Sequence, residues 1–222
     1  MMAGRESGDR HRFLERLRRR LARSPGAAHG PTPLLEGEPP PVDYAGPLDD
    51  LTGAFCEAAA RLGALVRRAS RESLLGVLDE ALALAGPGPV ALTAEPETAW
   101  LEAPLLSRGR QVVRPSDGPL AVARACLGVT GAVAGLARTG TVVVDSSRAG
   151  SRLVSLLPPV HLAVLPAAAL VPDHGAFLRS LDLTSLPSGL VLISGPSRSS
   201  DIELELTLGV HGPGRLMIAL LD

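Results

Sequence analysis

From residue 47 to residue 222, short apolar runs alternate with stretches of helical period, and this alternation constrains the fold more than any other feature. Leu48 to about Leu62 and Ser70 to Ala85 read as helices, with Ser70 as an N-cap. Ala64 to Arg67, Pro89 to Thr93 and Gln111 to Arg114 read as strands around a weak helix, Pro96 to Leu106. Pro119 to Arg124 reads as a helical turn. Strands that alternate with helices imply a mostly parallel sheet covered on both faces, so the predicted fold class is α/β. The later part is richer in strands: Cys126 to Val129, Thr141 to Val144, Leu153 to Leu156, Val160 to Leu165, Leu190 to Ile193 and Leu216 to Leu221. Ala132 to Arg138 reads as a short helix of small residues, and Asp173 to Leu181 as another helix.

The first 46 residues follow different rules. Residues 1–23 are predicted to be an amphipathic arm, with Phe13, Leu14, Leu17 and Leu21 on one stripe of a helical period. Eight arginines against Glu6, Asp9 and Glu15 give the arm a net charge of +5. Residues 24–46, with Pro25, Pro31, Pro33 and Pro39-Pro40-Pro41, read as an extended linker. The compact domain is therefore expected over 47–222.

Composition removes several kinds of chemistry. All 22 basic residues are arginine, so Schiff-base chemistry, a P-loop lysine and a lysine general base are excluded. The two cysteines, Cys56 and Cys126, form no C-x-x-C pair, so the chain alone supplies no iron–sulfur or zinc-thiolate site. No His spacing suits a metal, and none is expected. Aromatic residues are only 2% of the chain, too few to stack bases, and no nucleic-acid partner is expected. No apolar run reaches the ~18 residues of a membrane span. The opening residues are charged rather than apolar, so the reading is a cytoplasmic protein without a signal peptide.

Candidate site residues lie in polar turns at strand ends. Leu190 to Ile193 runs into Gly195-Pro196, and Ser197-Arg198 then read as the start of a helix with Asp201 and Glu203 in its first turn. A helix N-terminus with an arginine fork suits a carboxylate or phosphate; the same residues also suit a plain N-cap. His211 sits in a second Gly-rich turn. Thr139, Gly140 and Thr141 precede one strand and Ser146 follows it, offering hydroxyls and backbone N–H groups to an anion. His161 opens an apolar strand, as a structural residue or as a hydrogen-bonding or proton-transfer group.

Five of these segments, in order and spacing, resemble the LutC/YkgG family, built on the lactate-utilisation (LUD) domain. They are Gly128-Val129-Thr130-Gly131-Ala132, Thr139-Gly140-Thr141, Arg152 to His161, Gly195-Pro196-Ser197-Arg198 with Asp201-Ile202-Glu203, and Gly209-Val210-His211-Gly212-Pro213. The resemblance implies a three-layer α/β/α sandwich similar to the ribose-phosphate isomerase, glucosamine-phosphate deaminase and CoA-transferase group. It implies an accessory or regulatory subunit of a complex that oxidises L-lactate to pyruvate. Iron–sulfur clusters are then expected in partner proteins, with no cofactor bound by this chain. The alternative is a stand-alone enzyme or binding protein for a small phosphorylated, carboxylated or CoA-linked metabolite. Where the family commonly carries acids, after the Gly-x-Thr-Gly-Ala run and before Thr-Gly-Thr, this chain has Val133 and Arg138.

Overall fold

The structure, a computed structural model, describes residues 15, 48–182, 184–200, 206–208 and 212–222. Nearly all of them belong to one unit, Pro47–Asp222. Asp50 opens helix α1 (Leu51–Arg61), its carboxylate accepting the Gly53 N–H at 2.7 Å. The chain continues through β1 (Leu65–Ala69), α2 (Leu74–Ala85), β2 (Val90–Leu92), α3 (Glu102–Ser107), β3 (Val112–Val113), α4 (Pro119–Ala123) and β4 (Leu127–Gly131). Next come β5 (Ala134–Leu136), β6 (Thr141–Asp145), β7 (Val160–Pro166), β8 (Leu170–Val171) and α5 (His174–Ser180). The last strands are β9 (Leu190–Ile193), β10 (Arg198–Ser200), β11 (Leu206–Leu208) and β12 (Arg215–Leu221).

Six strands form the main sheet in the order β1-β12-β7-β4-β2-β3, every neighbouring pair parallel. Its central strands are buried on both faces, which explains their near-continuous apolar sequences. Val129, Leu162 and Ala219 face Leu78 of α2 and Leu105 of α3 in one core. Ala163, Leu165, Ile218 and Leu220 point the other way, toward Phe55 and Ala59 of α1. The α/β class and the helix-covered parallel sheet expected from the sequence are both present.

On the α1 side the chain adds a second sheet, β8-β5-β6-β9. Its inner residue Val142 joins the α1 core, while Val143 and Leu136 face Phe177 of α5. Gly135 makes the close approach work: a side chain there would meet Leu165, Leu170 and Phe55.

The helix read from Ser70 begins instead at Leu74, with Ser73 rather than Ser70 at its N-cap, and three further predicted elements differ. Ala132 to Arg138 contains strand β5, not a helix. Small residues favour helix locally, but here they lie between α5 and the main sheet and pair with β6 and β8, so tertiary pairing overrides propensity. Leu153 to Leu156 falls in a single 3-10 turn, Arg152–Ser155, because the Ser151 hydroxyl takes the Leu153 N–H at 3.1 Å and turns the chain. Ser197-Arg198 does not open a helix. The Ser197 N–H donates to the Pro213 carbonyl at 2.8 Å, and the chain continues as β10, antiparallel to β11, with Arg198 opposite Leu208.

Candidate functional site

The amino-terminal half of β7 carries the most unusual polar group of the described residues. His161 is fully buried, on the face of the main sheet turned toward β9. Its neighbour in register on β4 is Gly128, and the next residue on that face, Thr130, also buried, reaches it: Thr130 Oγ1 lies 2.9 Å from His161 Nε2. Nδ1 is buried and has no hydrogen-bond partner. Burial pulls the imidazole down from 6.5 to about 4, so the ring is neutral at physiological pH. A neutral ring carries one N–H, and which nitrogen holds it depends on the direction of the Thr130 hydrogen bond.

His161 forms part of the wall of a cavity of about 180 Å³ between the two sheets. Ser155, Ser194 and Ser197 bring hydroxyls to it, and Leu156, Ile193 and Leu216 give it apolar walls. Gly195 and Gly212 expose backbone at the same place. Gly195 has φ +92°, and a side chain there would press against Leu62 after α1, which explains the glycine at this corner.

Ser194 extends the site outward. Its hydroxyl lies 2.7 Å from Thr141 Oγ1, which is 2.8 Å from Thr139 Oγ1. This hydroxyl chain leads to an open groove of about 520 Å³ where Arg61, Arg138, Thr139, His174 and Ser194 meet. Gly140 sets the turn between β5 and β6 with φ +60°, and a side chain there would run into the backbone of Ala58 and Ala59 in α1. Arg138 has found a partner: its Nε lies 3.9 Å from the carboxylate of Asp173, which caps α5.

Among the predicted site residues, the fold thus gathers Thr139, Gly140, Thr141, His161, Gly195 and Ser197 around Ser194. Arg198 is adjacent but exposed, and its guanidinium donates to the Leu62 carbonyl at 2.9 Å, at the end of α1. Ser146 lies at the opposite end of β6, where its hydroxyl donates to the Gly189 carbonyl at 2.9 Å. Asp201, Glu203 and His211 lie outside the described residues.

Sequence reading missed Thr130, Ser155 and Ser194 as site residues. The motif around Thr130 was visible, but nothing local shows that His161 reaches it from another strand. It also missed a polar cluster at the carboxyl ends of β2 and β4. There Glu95 is buried against Thr98 (3.3 Å), and Glu97 pairs with Arg148 (3.4 Å) while its other carboxylate oxygen is buried without a partner.

Burial raises both the Cys56 and Cys126 thiols above their ordinary value, so both stay protonated near neutral pH. Among the described residues no group of three His, Cys, Asp or Glu side chains is placed to hold a metal ion. No described helix is long and apolar enough to cross a membrane.

Comparison with known proteins places this geometry in context. The LUD domain family model matches residues 120–221, which hold the His161 cavity and the hydroxyl chain. Lactate utilization protein C of Halalkalibacterium halodurans is 45% identical over 97 residues, which is 41% of this chain and 42% of that protein. Lactate utilization protein C of Geobacillus thermodenitrificans is 29% identical over 228 residues, 92% of each chain. The crystal structure of a DUF162 family protein from Deinococcus radiodurans aligns with TM-score 0.59 and 25% identity, covering 79% of this chain and all of that one.

Proposed function

We propose that this chain, which belongs to the LUD-domain family of the LutC/YkgG type, serves in lactate utilisation as an accessory or regulatory subunit of an iron–sulfur complex that oxidises L-lactate to pyruvate. The match to lactate utilization protein C over 92% of both chains carries the reading. The more similar match, to the Halalkalibacterium halodurans protein, spans less than half of that relative. Residues 126–222, where the sequence resemblance is strongest, contain the cavity and the hydroxyl chain. In this reading the electron carriers are iron–sulfur partner proteins, because this chain offers only Cys56 and Cys126 as thiols.

The test is genetic and biochemical. A strain lacking this chain is expected to lose growth on L-lactate as sole carbon source and to regain it when the chain is restored. The tagged chain is expected to co-purify with a protein that shows the visible absorbance of an iron–sulfur cluster. Normal growth of the deletion strain on L-lactate overturns the proposal.

A further inference from the structure

We infer that the outer edge of β9 is a pairing surface for a second copy of this chain, whose own β9 adds antiparallel to it about a two-fold axis through Val191. The surface follows from the fold alone, whatever the chain does in lactate utilisation. β9 ends the second sheet, and β6 is the only described strand paired with it. The Ser146 N–H donates to the Gly189 carbonyl at 3.0 Å, which sets the phase of the ladder. Val191 and Ile193 then bond to β6, opposite Val144 and Val142, while Leu190 and Leu192 turn their N–H and C=O groups outward. Val143, opposite Leu192, agrees with this phase: its carbonyl takes the Val133 N–H at 2.8 Å, on the β5 side. No backbone group of the described residues pairs with the outward groups of Leu190 and Leu192. The Leu192 residue is 45% exposed, so this edge is within reach of another chain.

An open apolar edge recruits other strands, and proteins normally blunt it. The other edges of the two larger sheets are blunted. β1 exposes Arg67 and Arg68, and β3 and β8 are two residues long each. β9 has no such guard, since residues 186–194 carry no charged side chain. Exposed leucines gather in the segments that border it. Leu186 leads into β9, Leu157 follows a residue that lines the same cavity as Leu192, and Leu178 lies on α5, whose Phe177 packs with Leu190. With Leu192 these are four of the seven exposed large hydrophobic residues, a concentration that marks an interaction surface.

Charge and register name the occupant. An uncharged strand fits another uncharged strand, and a second copy supplies one. With the axis through Val191, each Leu190 stands opposite the second copy's Leu192. These pairs use the outward groups, and each exchanges both of its N–H···O bonds. Val191 meets its own counterpart across the axis, Gly189 meets Ile193 and Ser188 meets Ser194, so no like charges oppose one another. Pro187 and Pro196 bound the paired stretch. The same operation at β1 would crowd Arg67 and Arg68 of both copies together. The contact uses one surface twice, so it closes as a dimer rather than growing into a fibre.

The experiment is sedimentation velocity of the purified full chain from about 1 to 500 µM. A monomer–dimer equilibrium is expected, with a dissociation constant of about 1–100 µM, because a single short strand makes a small interface. Leu192→Lys sets a charge against the second copy's Leu190. It is expected to weaken the dimer about tenfold or more and to leave the melting temperature of the monomer unchanged, since the side chain is already half-exposed. Val191→Cys brings two thiols together in a non-hydrogen-bonded pair, with Cα atoms about 4.5 Å apart and within disulfide reach. Mild oxidation is expected to link this variant into a covalent dimer. Ser188→Cys is expected to stay unlinked, because the two copies of that position lie about 20 Å apart along the strands. The unsubstituted chain, with Cys56 and Cys126, is the control for oxidation elsewhere.

A chain that is still monomeric at about 500 µM overturns the proposal. So does a dimer that persists in folded Leu192→Lys, which would place the contact elsewhere. Should Leu192→Lys fail to fold, the two cysteine variants decide, since both keep Leu190 and Leu192. A link at position 188 with none at 191 refutes the two-fold register, and no link at either refutes the pairing.

Discussion

Acid should unfold this protein partly through one residue. His161 is fully buried, and burial lowers its imidazole from 6.5 to about 4. In the unfolded chain the ring titrates near its ordinary value. Above about pH 6.5 both states hold the ring neutral, and the residue gives no pH dependence. As the pH falls from 6.5 toward 4, the unfolded chain takes up a proton that the folded chain refuses. Folding stability then falls by about 1.4 kcal/mol per pH unit, to a total of about 3 kcal/mol. Below about pH 4 both states are protonated, and this residue contributes no further loss.

The perturbation that isolates the effect is His161→Gln, which has no titratable group. Other residues titrate equally in both proteins, so the difference between their stability curves reports His161 alone. Urea unfolding from about pH 7 down to about pH 4 measures both curves. The wild type is expected to lose about 3 kcal/mol more than the variant across this range. Parallel curves would refute the reasoning, since they would mean that the ring meets water or a proton acceptor in the folded state.

Three further perturbations test the architecture around the site. Gly140→Ala forces a left-handed residue against the α1 backbone and should cost about 2–5 kcal/mol in urea unfolding, whereas a near-silent change would show that the turn can relax. Arg114→Met should cost about 2–3 kcal/mol, because the guanidinium donates to the Leu92 carbonyl at 3.1 Å, to the Thr93 carbonyl at 3.0 Å and to Glu102 at 2.5 Å; a loss within about 0.5 kcal/mol would count against this clamp on β2. Arg198→Ala should lower stability by about 1 kcal/mol through its bond to the Leu62 carbonyl at 2.9 Å, and unchanged urea unfolding would show that this exposed arginine does not fasten the end of α1.

The main sheet was legible because its strands are buried on both faces and so stand out as apolar runs between helical stretches. Val160 to Leu165 and Leu216 to Leu221 could be read this way with nearly correct ends. The second sheet was not, and β5 shows why. Ala134, Gly135 and Leu136 carry no β-branched side chain, and their strand state comes from pairing with β6 and β8. Without β5, the long-range position of β6 and β9 over the main sheet could not be derived. The 3-10 turn at Arg152–Ser155 was lost for a related reason: a hydroxyl–backbone bond at Ser151 outweighs the apolar character of Leu153 and Val154.

That gap explains what happened to the site. Turn chemistry is local, so Thr139-Gly140-Thr141 and Gly195-Pro196-Ser197 were visible as polar corners, and His161 as a polar residue opening a strand. What joins them is Ser194, at the end of a strand whose place depends on β5. The general rule for open α/β sheets looks to the carboxyl ends of strands, and in this fold Glu95 and Glu97 lie there. His161 and Leu216 instead stand near the amino ends of β7 and β12, where a single sheet would leave them beneath helices. The second sheet changes the consequence of that position. By laying β9 across the amino ends, it encloses His161 with serine hydroxyls rather than with leucine alone. A histidine that a plain three-layer sandwich would bury among apolar side chains is, in this arrangement, buried with Thr130 on one ring nitrogen and no hydrogen-bond partner on the other.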